Sequence, residues 1–155
     1  MRKCFCVPAF LALAPLCAAL AQPADLTGTW HLNVAKSTWG GVNKPLSVIL
    51  EIVHKEPMLN YHGVVQYASE DTRDFAFSGA LDGSSYAMSR SYGDGMITLR
   101  RIDAWTVEST FRSNDGLYTE TAQTTVSRSG RTLTRRLRVQ GPEGRKTWTE
   151  VYERR

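Results

Sequence analysis

Beyond Cys17 the chain contains no cysteine, since its three are Cys4, Cys6 and Cys17. Everything downstream therefore lacks a disulfide, a thiol nucleophile and a cysteine metal ligand. From Asp25 onward there is also no apolar repeat of helical period, which excludes helix bundles and alternating α/β architectures. There is no G-x-S-x-G elbow and no histidine placed beside an inward serine, so the signature of a hydrolytic triad is missing. The three histidines do not converge. Across a Glu56-Pro57 turn His54 and His62 fall on opposite faces, and His31 points away from Trp30. Metal binding needs convergent donors, so these residues read as half-exposed polar fillers, and neither a metal nor a cofactor is expected.

Strong charge is lacking too. The 19 Lys and Arg fall to 17 without Arg2 and Lys3, against 15 Asp and Glu, a net charge of +2. Arginines gather toward the end (Arg128, Arg131, Arg135, Arg136, Arg138, Arg145, Arg154, Arg155), but Glu143, Glu150 and Glu153 are mixed among them. A nucleic-acid surface interleaves basic residues with stacking aromatics. Here most of them read as a solvated outer face that discourages edge pairing, and no nucleic-acid partner is expected.

The one long apolar run lies at the start. Met1-Arg2-Lys3 is a basic n-region, Cys4 to Leu20 is apolar, and Ala19-Leu20-Ala21 has the small-x-small form of a cleavage site. Pro8 and Pro15 interrupt a run at the short edge of the roughly 18–20 residues a membrane span needs. Cys17 follows Pro15-Leu16, a poor match to a lipoprotein signal. Residues 1–21 are accordingly expected to be a cleaved signal peptide, with a secreted or periplasmic product and no stable membrane insertion. Residues 22–155, 134 in all, suffice for one domain with a real core.

What is present is a succession of short Thr-, Val- and aromatic-rich runs punctuated by turn residues every 8–14 positions or so, the pattern of an antiparallel sandwich or barrel. Nine turn signals, among them Asp82-Gly83, Gly93-Asp94-Gly95, Asp115-Gly116, Ser129-Gly130 and Gly141 to Gly144, divide ten strands. These strands run roughly over 27–34, 46–54, 58–68, 73–78, 84–92, 96–102, 106–113, 117–127, 132–140 and 146–154. Closure into an up-and-down barrel removes exposed edges and ranks ahead of a sandwich.

Register supports this. If Asp115-Gly116 and Ser129-Gly130 are two-residue turns and Gly141–Gly144 a four-residue loop, one face collects Phe111, Tyr118, Glu120, Ala122, Thr124, Val126, Leu133, Arg135, Leu137, Trp148, Glu150 and Tyr152. The opposite face is almost entirely Thr, Arg and Gln, so the first set is the inner one. Tyr61, Tyr67, Phe75, Phe77, Tyr86 and Met88 extend the lining. Between residues 92 and 106 either Ile97/Leu99 or Met96/Thr98/Arg100 can face inward.

Gly28-Thr29-Trp30 at the head of the first strand resembles the calycin pattern of lipocalins, avidins and fatty-acid-binding proteins, and Val151-Tyr152-Glu153-Arg154 resembles the end of the last group. The chain is also similar to secreted bacterial lipocalin-like proteins of unassigned function, through Gly-Thr-Trp, Leu32-Asn33-x-x-Lys36-Ser37, Ser127 to Thr134 and the closing Tyr-Glu-Arg. The resemblance implies a closed barrel, with Trp30 as its plug and Arg154 laid over it. Two features depart from the fatty-acid-binding group. Ala35 to Pro45 is too short for that group's helical lid, and Glu150-Val151-Tyr152 stands where it has Arg-x-Tyr. An acid there repels a ligand carboxylate unless Arg135 compensates.

These residues point to a binder of a small apolar or amphipathic molecule. Its cavity is expected to be lined by Tyr61, Tyr67, Phe75, Phe77, Tyr86, Met88, Phe111, Tyr118, Arg135, Glu150 and Tyr152. The Arg135–Glu150 pair either orients a ligand or pins strand register, and the second reading weighs more because buried ion pairs often serve fold specificity. Glu120 and Glu150 could mimic a glycosidase pair, but Arg135 would lower rather than raise their pKa values, so a non-enzyme is expected. Trp39, in the first loop, serves either as a rim contact or as a cap. The alternatives are a solid barrel acting as an inhibitor or envelope-interaction module through its loops, and a barrel isomerase or cyclase.

Overall fold

A computed structural model describes residues 22–69 and 71–155; the expected signal segment 1–21 lies outside the described residues. Ten antiparallel strands follow one another as a meander: β1 Gly28–Leu32, β2 Ser47–Lys55, β3 Met58–Gln66, β4 Thr72–Ala80, β5 Asp82–Arg90, β6 Gly95–Arg101, β7 Thr106–Ser113, β8 Thr119–Val126, β9 Thr132–Gly141 and β10 Gly144–Arg154. Neighbours in sequence pair in space, and β1 pairs with both β2 and β10, so the sheet closes into a barrel. The sandwich is thereby ruled out.

The inner set is the one that alternation and turn geometry require. Phe111 pairs with Glu120, Val126 with Leu133, Leu137 with Trp148 and Arg135 with Glu150. Gly141 and Gly144 form a pair themselves, leaving Pro142-Glu143 as the turn, a tightening that keeps the same centre and the same register. In β6 the structure selects Ile97 and Leu99 for the interior, 3% and 1% exposed, while Met96 is 41% exposed. Gly95 opposes Met88 and Ser113, and the Phe111 ring lies where a Gly95 side chain would otherwise point.

Two turns differ from expectation. Asp115 accepts the Leu117 N–H and the Ser113 hydroxyl, which keeps Leu117 and Tyr118 in the connection and starts β8 at Thr119. Asp82-Gly83 lies inside β5, and the β4–β5 ladder has only three pairs, Phe75–Arg90, Ala76–Ser89 and Phe77–Met88. Toward the hairpin the Tyr86 ring lies against Gly79, where a β-carbon would clash.

One end of the barrel is sealed. The segment Ala24–Thr27 folds across it, with Ala24 N–H donating to Ala104 O and Leu26 N–H to His54 Nδ1 at 3.3 Å. Trp30 is fully buried, donates from Nε1 to Leu26 O at 3.0 Å, and lies 4.5 Å under the Arg154 guanidinium. Arg154 is in turn anchored on Asp25 O. This sealing segment encloses His54, whose side chain is only 3% exposed with Nε2 3.2 Å from Glu56. His54 is therefore a satisfied interior group and not a half-exposed filler, since it continues the inward row of Val48, Leu50 and Ile52 and lies under the Ala24–Thr27 segment. The His62 side chain, 45% exposed, does lie on the outer wall.

Trp30→Ala is expected to destabilise the fold by about 3–5 kcal/mol, the usual cost of emptying a large buried aromatic site. Urea unfolding by near-ultraviolet circular dichroism would measure it, and a loss below 1 kcal/mol would show that the plug is dispensable.

Candidate binding cavity

Above the sealed end the barrel is hollow. A cavity of about 550 Å³ runs toward the opposite rim, within the range typical of small-molecule sites, roughly 300–1,000 Å³. Its wall is aromatic on the β3–β4 side, where Tyr61 stacks on Phe77 at 5.1 Å and on Phe75 at 5.9 Å between ring centroids. Gly63 makes room for the Phe75 ring, which occupies the space a side chain there would need. Val48, Met88, Ile97 and Phe111 continue the apolar lining.

The opposite wall is polar. Glu150 gathers three donors: Arg135 Nη1 at 3.1 Å, the Tyr152 hydroxyl at 2.7 Å and Trp148 Nε1 at 2.9 Å. These partners alternate along β9 and β10, whose register sets Arg135 directly opposite Glu150. Burial disfavours the Arg135 charge, but Tyr61, Glu150 and Tyr152 around it hold the guanidinium well above its ordinary pKa. A second pair, Arg90 with Glu120 at 3.4 Å, lies closer to the rim, the guanidinium 3.5 Å above the Phe111 ring. Burial pushes the Tyr61 hydroxyl up to about 12 and the Tyr152 hydroxyl well above its usual value, so both stay protonated at neutral pH.

At the rim, one turn of 3-10 helix over Val34–Lys36 leads into a loop that bridges back to β10 through Thr38 and Thr149. Trp39, Val42 and Pro45 of this loop join the cavity lining, so Trp39 folds under instead of standing out as a contact. Opposite this loop, a vestibule of about 820 Å³ bounded by Arg73, Arg90, Tyr92, Asp94, Tyr118 and Glu120 adjoins the cavity.

Nine of the eleven residues read as lining from the sequence are brought together: Tyr61, Tyr67, Phe75, Phe77, Met88, Phe111, Arg135, Glu150 and Tyr152. Tyr86 and Tyr118 are corrections. Tyr86 has the inward parity but lies on Gly79, with its hydroxyl donating to Asp82 at 3.0 Å, and fills the wall instead of lining the cavity. Tyr118 belongs to the β7–β8 connection, is 44% exposed, and covers Gly141 at the vestibule. Arg73, Arg90, Tyr92, Trp39 and Trp148 are lining residues that the sequence reading left out of the site. Arg73 shares the parity of Phe75, and Arg90 that of Met88, so the alternation contained both. Among the described residues no group of three or more His, Cys, Asp or Glu could hold a metal.

Removing one partner of the Arg135–Glu150 pair strands a buried charge, so Arg135→Met and Glu150→Leu should each cost about 3–5 kcal/mol, and the double variant much less than their sum. Additive losses in a denaturation double-mutant cycle would show that the two act independently. The tyrosines set a pH limit. An unfolded chain releases the Tyr61 proton near pH 10, the folded chain only near pH 12. The stability that Tyr61 contributes is therefore whole below pH 10 and falls as pH climbs toward 12, by about 3 kcal/mol. Tyr61→Phe should flatten that alkaline slope in urea titrations, and an unchanged slope would rule out Tyr61 as its source.

Comparison of the sequence with protein-family models and with curated proteins gives no match. Among solved structures the chain is similar to zebrafish ileal bile acid-binding protein complexed with cholic acid. The TM-score is 0.56 at 14% identity, over 83% of this chain and 98% of that one. The fold is thus a closed ten-strand antiparallel barrel, like that of the bile acid-binding protein.

Proposed function

We propose that the protein is a secreted carrier of a small apolar or amphipathic molecule, held inside the barrel without chemical conversion. The observation that carries this reading is the hollow interior. A solid barrel working through its loops would fill its lumen with side chains, whereas here about 550 Å³ remains between one aromatic and one polar wall. An apolar lining with a few convergent polar groups is the usual form of a small-molecule site. The bile acid-binding protein, whose ligand in the solved structure is cholic acid, is a precedent for such use of the fold. Phe75, Phe77, Met88 and Phe111 would hold the apolar body, Tyr61 and Arg135 the polar end, with Glu150 and Tyr152 fixing Arg135 in place, and Tyr67 the mouth. Trp30 and Arg154 act at the sealed end as structure. Export rests on the basic, apolar and small-residue sequence of residues 1–21.

Native mass spectrometry of protein from its own host, with uptake of Nile red by purified protein, tests the carrier. A stoichiometric small-molecule adduct or saturable dye binding is expected. Val65→Trp, which projects a bulky ring into the lumen, should weaken dye binding by tenfold or more while keeping the far-ultraviolet spectrum. Bare protein with no dye uptake would overturn the carrier reading and direct attention to the loops. The exported protein is expected to begin at Gln22 by intact mass, and retention of residues 1–21 would overturn the secretion.

A further inference from the structure

The charge arrangement of the cavity narrows the ligand class, an inference that rests on the carrier reading. Among the described residues four cationic side chains line the cavity: Arg73, Arg90, Arg135 and Lys146. Each already has a carboxylate of its own. Arg135 meets Glu150 at 3.1 Å, Arg90 meets Glu120 at 3.4 Å, Arg73 meets Asp71 at 2.9 Å and Lys146 meets Glu143 at 2.7 Å. A ligand carboxylate drawn to the polar wall would give up its hydration and approach Glu120 and Glu150 without a spare positive charge to offset them. Within the lumen the two buried pairs, Arg135–Glu150 and Arg90–Glu120, are charge-balanced, while Arg73 and Lys146 pair at the half-exposed rim.

The hydrogen bonding of the lumen is not balanced. Both Glu150 oxygens are occupied by donors from Arg135, Trp148 and Tyr152. In contrast, Arg90 Nε, Arg135 Nε and the Tyr61 hydroxyl are buried with no partner. An arginine Nε–H is a donor only, and a tyrosine hydroxyl donates one hydrogen bond. Buried polar atoms in native proteins are nearly always satisfied, so three unpartnered donors on one cavity's wall call for an acceptor. Two of these donors lie where the two walls meet, since the Arg135 guanidinium lies 5.8 Å from the Tyr61 ring centroid, while Arg90 sits over Phe111 nearer the rim.

We propose that the ligand is a neutral amphipathic molecule whose buried end carries a carbonyl-type acceptor, such as a ketone, ester or lactone, and that ionised carboxylic acids bind poorly. The acceptor receives the donors of Tyr61 and Arg135, small side-chain adjustments bringing them to it. The apolar body then packs along Phe75, Phe77 and Met88.

Competition against Nile red at neutral pH tests this with methyl decyl ketone, dodecanoic acid and dodecane, which share one carbon count. The ketone is expected to compete at a concentration about tenfold below either of the others. Tyr61→Phe should weaken the ketone about fivefold or more and leave dodecane unchanged. Glu150→Gln releases the Arg135 charge and should move the preference about tenfold toward dodecanoate. Glu120→Gln, nearer the rim, makes the same test at Arg90 should the first variant not fold. Wild-type protein that binds dodecanoate as tightly as the ketone overturns the neutral-acceptor class and leaves the carrier reading intact. Absence of any dye uptake overturns both.

Discussion

The structure depends on closure of the sheet through β1. This five-residue strand is hydrogen-bonded on one side to β2 and on the other to β10. It unites the two ends of the meander, and without it both β2 and β10 would be open edges. Its central residue, Trp30, sits beneath Arg154 and above the segment that crosses the barrel end. The same short strand thus closes the sheet laterally and stoppers it axially. With one end stoppered, apolar side chains collect there, and the remaining lumen extends toward the opposite rim.

Ten strands enclose more space than their inward side chains fill, which is why a cavity survives above the plug. The residues facing that space divide by strand. β3, β4 and β6 contribute mostly aromatic and aliphatic groups, with Arg73 toward the rim, while β5 and β8 to β10 contribute Arg90, Glu120, Arg135 and Glu150 beside Met88, Leu137 and Tyr152. A polar wall inside a barrel costs desolvation, offset only where every charge is paired. The pairing here is complete enough to keep the wall in place yet leaves donors unsatisfied. A bound molecule with a matching acceptor, as proposed above, would complete such a wall.

Much of the fold was legible from the chain. Period-two alternation, with Gly and Asp at the turns, implied ten strands and the inward set of β7 to β10, because a one-residue slip would turn that set outward. Errors fell where local chemistry overrode the pattern. Asp115 captured the Leu117 N–H and withdrew Tyr118 from its strand. Gly79 left a hollow that the Tyr86 ring filled. His54 was misjudged because its exposure depends on Ala24–Thr27, a segment distant in sequence that folds over it. Arg73 and Arg90 carried the right parity, but a charged residue in an alternating strand reads equally well as a break in it.

The sequence by itself determined the strand count, the antiparallel meander, the pairing of Arg135 with Glu150 and the aromatic stock of the interior. These follow from periodicity and turn chemistry, which act over a few residues. Only the tertiary structure decided that the barrel closes, that one end is sealed by its own N-terminal segment, and that the lumen is hollow. It also decided that each cation facing the cavity has a carboxylate partner. Those properties depend on strands far apart in the chain meeting at one radius and one tilt, a collective constraint that no local stretch of residues encodes.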